Sequence, residues 1–320
     1  MSWRKKFITI ATLTSASTFT IHMINKFIDF YASLDNLLDN PSGTYYNWKF
    51  GEIYYKKIGS GPPLLLIHDL TPYSSGHEWN KVLNKIAKTH TVYRIDLLGC
   101  GRSDKPSLTH TNYLYVQLIS DFVKHIIGEQ TDIIATGLSG SFAIAACHND
   151  NSIIRKVILV NPSDVNLLDK IPDKHSKITS QLINLPVIGT LLYNLLTRRE
   201  NIETLFKESY FYDRKKIDND TVSTYYEAAH MGEGSPKYLF SSLSGRYTTV
   251  NLKHCMKSLT NSIYIIMGKD EERQTEITEQ YKNLLPSIEC AVIPETKHLP
   301  QLEKADEFIE QMNLFLEDEF

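Results

Sequence analysis

Ser139, Asp270 and His298 are the residues whose types and order along this chain could carry covalent chemistry. Ser139 lies in Ile133-Ile134-Ala135-Thr136-Gly137-Leu138-Ser139-Gly140-Ser141, where an apolar run breaks into small residues around one hydroxyl. That pattern predicts a buried strand turning sharply into a helix with Ser139 at the bend. Its Oγ would be held clear of the backbone and beside the positive end of the helix. His298, in Ile293-Pro294-Glu295-Thr296-Lys297-His298-Leu299-Pro300, falls on a loop between the last strand and the last helix. A neutral imidazole there can take the hydroxyl proton and return it to a leaving group. Asp270, in Gly268-Lys269-Asp270-Glu271, can hold the imidazole in one tautomer and stabilise its charged form. Glu271 is the alternative acid, and Asp164, after an earlier strand, is a third candidate. Each also has a plainer reading: Ser139 as a helix N-cap, His298 as a surface loop residue, the acids as solvated loop groups. The order Ser, Asp, His favours the chemical reading, because it is the order this chemistry takes on a doubly wound sheet.

The elements that must position these groups follow from the hydrophobic pattern. Tyr45 to Lys57 reads as a hairpin about Phe50-Gly51, and Pro63–Ile67 as a strand buried on both faces. A helix is expected from Trp79 to about Ala87, a strand over Thr91–Leu97, and a helix through Leu114, Leu118, Phe122 and Ile126 that stops at Gly128. The Ser139 strand, a small-residue helix (Phe142–His148) and the strand Val157–Val160 come next. From residue 164 to about 260 only helical pieces are legible, including Leu182–Leu196, before strands at Ile263–Met267 and Glu289–Ile293 resume the alternation. The expected fold is therefore α/β, a doubly wound, mostly parallel sheet with a helical cap inserted after the sixth strand. The expected domains are a core of residues 45–163 and 251–320 and a cap of residues 164–250. An insertion above the carboxyl ends of the strands is well placed to act as a lid. The apolar cap stretch Leu182–Tyr193 is expected to pack the cap's own core; lining the pocket instead, it would imply a hydrophobic substrate.

Composition excludes several classes. The 320 residues carry a net charge of −3 with 22% charged residues, which is not the basic footprint of a nucleic-acid binder. Cys100, Cys147, Cys255 and Cys290 are scattered without CxxC or zinc spacing, and no HExxH or His-x-His pair occurs, so no metal or cofactor is expected. The N-terminus stands apart. Arg4, Lys5 and Lys6 precede an uncharged run, residues 7–25, which is about long enough to cross a bilayer. The charge asymmetry expects an N-terminus inside and a catalytic domain outside, as a signal anchor over residues 1–25 with a linker or helix over 26–44. A cleaved signal peptide, or an amphipathic helix on a cytoplasmic domain, is the alternative.

Together these segments resemble the α/β-hydrolase superfamily, of the esterase and peptidase type with a helical cap, over roughly residues 45 to 318. The resemblance is carried by His68-Asp69 after a buried strand, Asp96-Leu97-Leu98-Gly99-Cys100-Gly101-Arg102-Ser103, the Ser139 bend, Gly268-Lys269-Asp270 and Lys297-His298. It implies Ser139 as nucleophile, His298 as base and Asp270 as acid, with an oxyanion hole from the backbone N–H groups of Leu70 and Gly140. The implied activity is hydrolysis of a carboxylic ester or related acyl bond on a hydrophobic small molecule through an acyl-enzyme. A proline iminopeptidase-like role, cofactor-free perhydrolase or lyase chemistry, and a non-catalytic binding role stay open. Aspartate-nucleophile relatives are disfavoured by serine at 139. Two departures stand out: Asp69 where relatives have glycine, whose carboxylate must point away from a developing oxyanion, and Ser141 where the bend's last glycine would be.

Overall fold

The computed structural model describes residues 3–38 and 43–317. Its centre is an eight-stranded sheet in the order β1-β2-β4-β3-β5-β6-β7-β8. The strands are β1 (Thr44–Trp48), β2 (Gly51–Ile58), β3 (Pro63–Ile67), β4 (Thr91–Ile95), β5 (Thr131–Thr136), β6 (Ile154–Val160), β7 (Ser262–Gly268) and β8 (Glu289–Ile293). β1 and β2 are antiparallel to their neighbours, and every pairing from β4 to β8 is parallel.

Continuous apolar runs make these strands because both faces are covered. Leu65, Ile67, Ile133, Ala135, Val157 and Leu159 enter the core on one face, while Leu64, Leu66, Ile134, Ile158 and Val160 enter the core on the other. Full burial of one leucine or isoleucine stabilises the fold by roughly 1.5–3 kcal/mol, so a charge in any of these runs would be costly.

The helices of the core are α2 (Asn80–Ile86), α3 (Asn112–Phe122), α4 (Ser139–Asn149), α12 (Gln274–Leu284), α13 (Pro300–Glu303) and α14 (Ala305–Glu317), after the N-terminal α1 (Trp3–Ala32). Between β6 and β7 the chain leaves the sheet as α5 (Val165–Leu168), α6 (Lys174–Asn184), α7 (Ile188–Leu196), α8 (Arg199–Leu205), α9 (Asn219–His230), α10 (Lys237–Ser244) and α11 (Leu252–Met256). The expected single helix over Leu182–Leu196 is two. Pro186 cannot continue α6, and Val187 turns the chain at φ +58 before α7 begins. Nor does this stretch serve only an internal core: Tyr193 and Ile183 are buried, but Leu182, Leu185, Ile188 and Leu192 face outward.

α1 runs unbroken to Ala32, past the end of the uncharged run at residue 25. Lys5–Ala32 is long and apolar enough to cross a membrane. Its last turns dock on the insertion through Asn25, Asp29 and Ala32, one helical face, and the backbone N–H groups of Leu37 and Leu38 then donate to the Glu227 carboxylate on α9.

Candidate active site

The carboxyl ends of β3, β5, β6, β7 and β8 converge on one cleft, which carries Asp69, Gly137, Asn161, Glu271 and His298. The cleft holds about 380 Å³.

The strand-to-helix bend is displaced from its expected position. β5 ends at Thr136, Gly137 takes φ +56, Leu138 is already right-handed, and Ser139 is the first residue of α4. A left-handed backbone directly after a strand is the strained position that exposes a nucleophile, so the bend residue is Gly137. Ser139 sits two residues further on, fully buried, with its Oγ donating to the His68 carbonyl at 2.6 Å. No hydrogen bond joins it to His298, whose ring nitrogens face Glu271 and Asp69. Gly140 is likewise not part of an anion hole; its N–H turns back to the Gly137 carbonyl within the helix start.

What fills the bend is Asp69. A Cβ placed on Gly137 would lie 2.3 Å from Asp69 Oδ1, so the carboxylate occupies the space of the missing side chain. Asp69 Oδ1 accepts from the backbone N–H of Leu70 and of Leu138, each at 2.8 Å. These two amides come from the loop after β3 and from the residue after the bend, which is where an oxyanion hole is built. Leu70 and Gly140 were the expected pair; the amide that shares Asp69 Oδ1 with Leu70 is that of Leu138. The carboxylate thus points into the hole, opposite to the expectation that it must avoid it.

Asp69 Oδ2 lies 3.4 Å from His298 Nε2, and His298 Nδ1 lies 3.4 Å from Glu271 Oε1. The acid that faces the imidazole is therefore Glu271. Asp270 is exposed and does not line the cleft, and its backbone N–H donates to the Thr296 carbonyl. Burial alone would push the His298 pKa down. The hydrogen bonds and charges of Asp69 and Glu271 outweigh it and raise the imidazole to about 10, which favours its charged form between the two acids. Asp164, the third candidate, is tied to Arg273 and caps α5.

The supports are buried and polar. His68 is enclosed and neutral; burial lowers its pKa, Nδ1 bonds the Asp69 carbonyl at 2.7 Å, and Nε2 accepts from Leu97 N–H at 3.0 Å. Glu78 lies behind Asp69, accepting from its backbone N–H at 3.2 Å and from Gln301 Nε2 at 3.0 Å, and burial raises its carboxyl to about 8. Tyr210, from the insertion, stacks on His298 with ring centroids 5.0 Å apart. Asp96 of the D-x-x-G-x-G-x-S segment accepts from Gly76 N–H at 2.7 Å and Arg102 N–H at 2.9 Å, a loop-holding role. Among the described residues no group of three or more His, Cys, Asp or Glu side chains could hold a metal ion.

Sequence reasoning placed His298 and Leu70 in the site but missed Gly137, Leu138 and the use of Asp69. The available signal was register: the bend must follow the last strand residue directly, and the apolar run ends two residues before Leu138, at Thr136.

Residues 64–311 match the sequence profile of the alpha/beta hydrolase family. An uncharacterized protein of Mycobacterium tuberculosis, Rv2715, is 32% identical over 118 residues, 36% of this chain and 34% of its own. The chain thus spans about a third of the length of that relative. The proline iminopeptidase of Heyndrickxia coagulans is 24% identical over 284 residues, 83% of this chain and 95% of its own. The structure of the epoxide hydrolase CorEH superposes with a TM-score of 0.67 at 19% identity, over 86% of this chain and 98% of that one, a likeness of fold.

Proposed function

The chain belongs to the alpha/beta hydrolase family, and within that family we propose that it is a hydrolase whose nucleophile is the Asp69 carboxylate, opening an epoxide or similarly strained ether to a diol. One observation carries the reading: Asp69 Oδ1 already fills the two-amide hole formed by Leu70 and Leu138. Acyl transfer from a serine needs that hole empty for the substrate's oxyanion. Attack by Asp69 needs it filled by Asp69.

The steps balance. Asp69 Oδ2 attacks a saturated ring carbon of the epoxide, the carbon–oxygen bond breaks with its electron pair going to oxygen, and that oxygen takes the proton from His298 Nε2. Asp69 is now a neutral ester, so one of the two charges that kept the imidazole protonated has gone, and His298 becomes a base held by Glu271. Water attacks Asp69 Cγ while His298 Nε2 takes one of its protons, and the charge that develops on Oδ1 is met by the Leu70 and Leu138 amides. The bond from Cγ to Oδ2 then breaks. The departing alkoxide takes the remaining proton of the attacking water, and Asp69 and protonated His298 are restored. A protonated resting imidazole favours a leaving oxygen, which needs a proton, over a halide, which does not. Ser139 has no step in this sequence.

We read α1 as a membrane anchor through residues 7–25. Arg4, Lys5 and Lys6 on one side support an N-terminus inside and the hydrolase outside.

The test is a single turnover of the full chain with styrene oxide and with a long-chain terminal epoxide in oxygen-18 water. The expected label appears in the Asp69 peptide by mass spectrometry, and not in the first-turnover diol. Label in the diol alone would sink the nucleophilic role. Ester hydrolysis that survives Asp69→Asn but not Ser139→Ala would return the reaction to the serine.

A further inference from the structure

A second uncharged run lies in the insertion, residues 178–197, between Lys177 and Arg198. It forms the end of α6, the turn at Leu185-Pro186-Val187, and α7. Leu182, Leu185, Ile188, Leu192, Leu195 and Leu196 are all exposed along it. The first uncharged run is residues 7–25 of α1, and the structure lays the two side by side. Asn25 Nδ2 donates to the Val187 carbonyl at 3.0 Å, and Asn194 Nδ2 donates to Asn25 Oδ1 at 3.2 Å. Val187 shares a surface hollow with Thr14, Ser15, Thr18, Phe19 and His22.

We infer that the α6–α7 hairpin is itself a membrane-contacting element, its tip immersed in the lipid leaflet beside α1; the inference rests on the reading of α1 as an anchor. Register makes the argument. If residues 7–25 lie in the bilayer, Val187, bonded to Asn25 at the end of that run and sharing a hollow with residues 14–22, lies up to about 10 Å inside it, at a rise of about 1.5 Å per residue. The apolar side chains of α7 then continue the lipid-facing surface made by Phe19, Met23 and Ile24 of α1. An interfacial helix buries its apolar face about 5–10 Å deep, which is the depth this register gives.

The carbonyls of the turn are compatible with that depth. Non-helical backbone within lipid is tolerated only where its polar groups find protein partners. Each carbonyl of the turn has one. Leu185 C=O accepts from Lys237 Nζ at 3.0 Å and from Gly189 N–H at 3.1 Å, Pro186 C=O from Ile188 N–H, and Val187 C=O from Leu191 N–H and Asn25 Nδ2. Pro186 has no N–H to satisfy.

The full chain is reconstituted in vesicles of phosphatidylcholine and phosphatidylglycerol with the photoreactive residue p-benzoylphenylalanine replacing Leu13, Ile188 or Tyr113, one at a time. All three positions are exposed, and Tyr113 is on the core. Lipid adducts at 188 comparable to those at 13, with none at 113, are the expected result. Adducts at 13 without adducts at 188 would overturn the hairpin inference while leaving the anchor in place. Adducts at neither would remove the anchor reading and this inference with it. A crosslink from 188 to a second copy of the chain would assign the surface to self-association instead and overturn lipid contact.

Discussion

Asn161 ties down the loop that carries His298. Its Nδ2 donates to the carbonyls of Lys297 at 2.9 Å and His298 at 2.8 Å, while its Oδ1 accepts from Gly268 N–H at 2.9 Å. One side chain at the end of β6 thus joins the strand end leading to Glu271 to the loop holding the imidazole. The backbone of Asn161 is left-handed at φ 41, a conformation asparagine tolerates better than most residues. Asn161→Ala removes three hydrogen bonds and is expected to cost about 1–3 kcal/mol of stability, with a larger loss in turnover than in substrate binding. Thermal unfolding and a split of kcat from KM check it.

Asp69→Asn is expected to lower the His298 pKa from about 10 toward the ordinary histidine range, because one of the two flanking charges is gone. Nitrogen-detected NMR of the imidazole reads this directly. The sign for stability follows from the raised value. The charged imidazole stabilises the fold fully below the unfolded histidine pKa, and that contribution is lost as pH rises toward about 10. The wild type should lose stability across that alkaline window and Asp69→Asn should lose less of it.

Glu271→Gln should also shift the His298 titration downward and lower turnover, whereas Asp270→Asn should leave both near wild type, since only Glu271 faces Nδ1. Equal effects from the two variants would count against the geometry.

Gly137→Ala is expected to be destabilising. The left-handed backbone alone costs a non-glycine residue roughly 1–2 kcal/mol, and the new methyl would meet Asp69 Oδ1 at 2.3 Å. Combining Gly137→Ser with Asp69→Gly clears that contact and places a hydroxyl beside His298 and the emptied amides. The double variant should be labelled by a fluorophosphonate at residue 137, and the wild type should not be labelled at Ser139.

Ser139→Ala should leave epoxide turnover within a few-fold of wild type while lowering the melting temperature, because the His68 carbonyl loses its buried donor. Complete loss of turnover with an unchanged melting temperature would contradict the supporting role given to Ser139.

The sheet was legible because strands covered on both faces must be apolar at nearly every position, as in Leu64-Leu65-Leu66-Ile67. The insertion was legible as helices, but not its turn at Pro186, because the apolar period continues across the proline. The bend was misplaced by two residues because its signature concerns backbone dihedrals, and a small-residue string offers glycine and serine at several offsets. Choosing between Asp270 and Glu271 needed the direction of a loop, which spacing does not encode. The shift of the proposed nucleophile from β5 to β3 was hardest to see: Asp69 reads as a departure from a pattern until its carboxylate is found in the space Gly137 leaves open.

Tyr210, Tyr225 and Phe206 of the insertion share one apolar cluster with Leu299 and Leu302, the residues that follow His298. The stacked pair of Tyr210 and His298 is therefore part of a single packed unit spanning lid and base. Lifting the insertion would strip the ring from the imidazole and admit water beside Asp69 and Glu271. Entry of substrate and exposure of the proton donor would then be one mechanical event, so a slow opening would show as a delay in protonation and not only in binding.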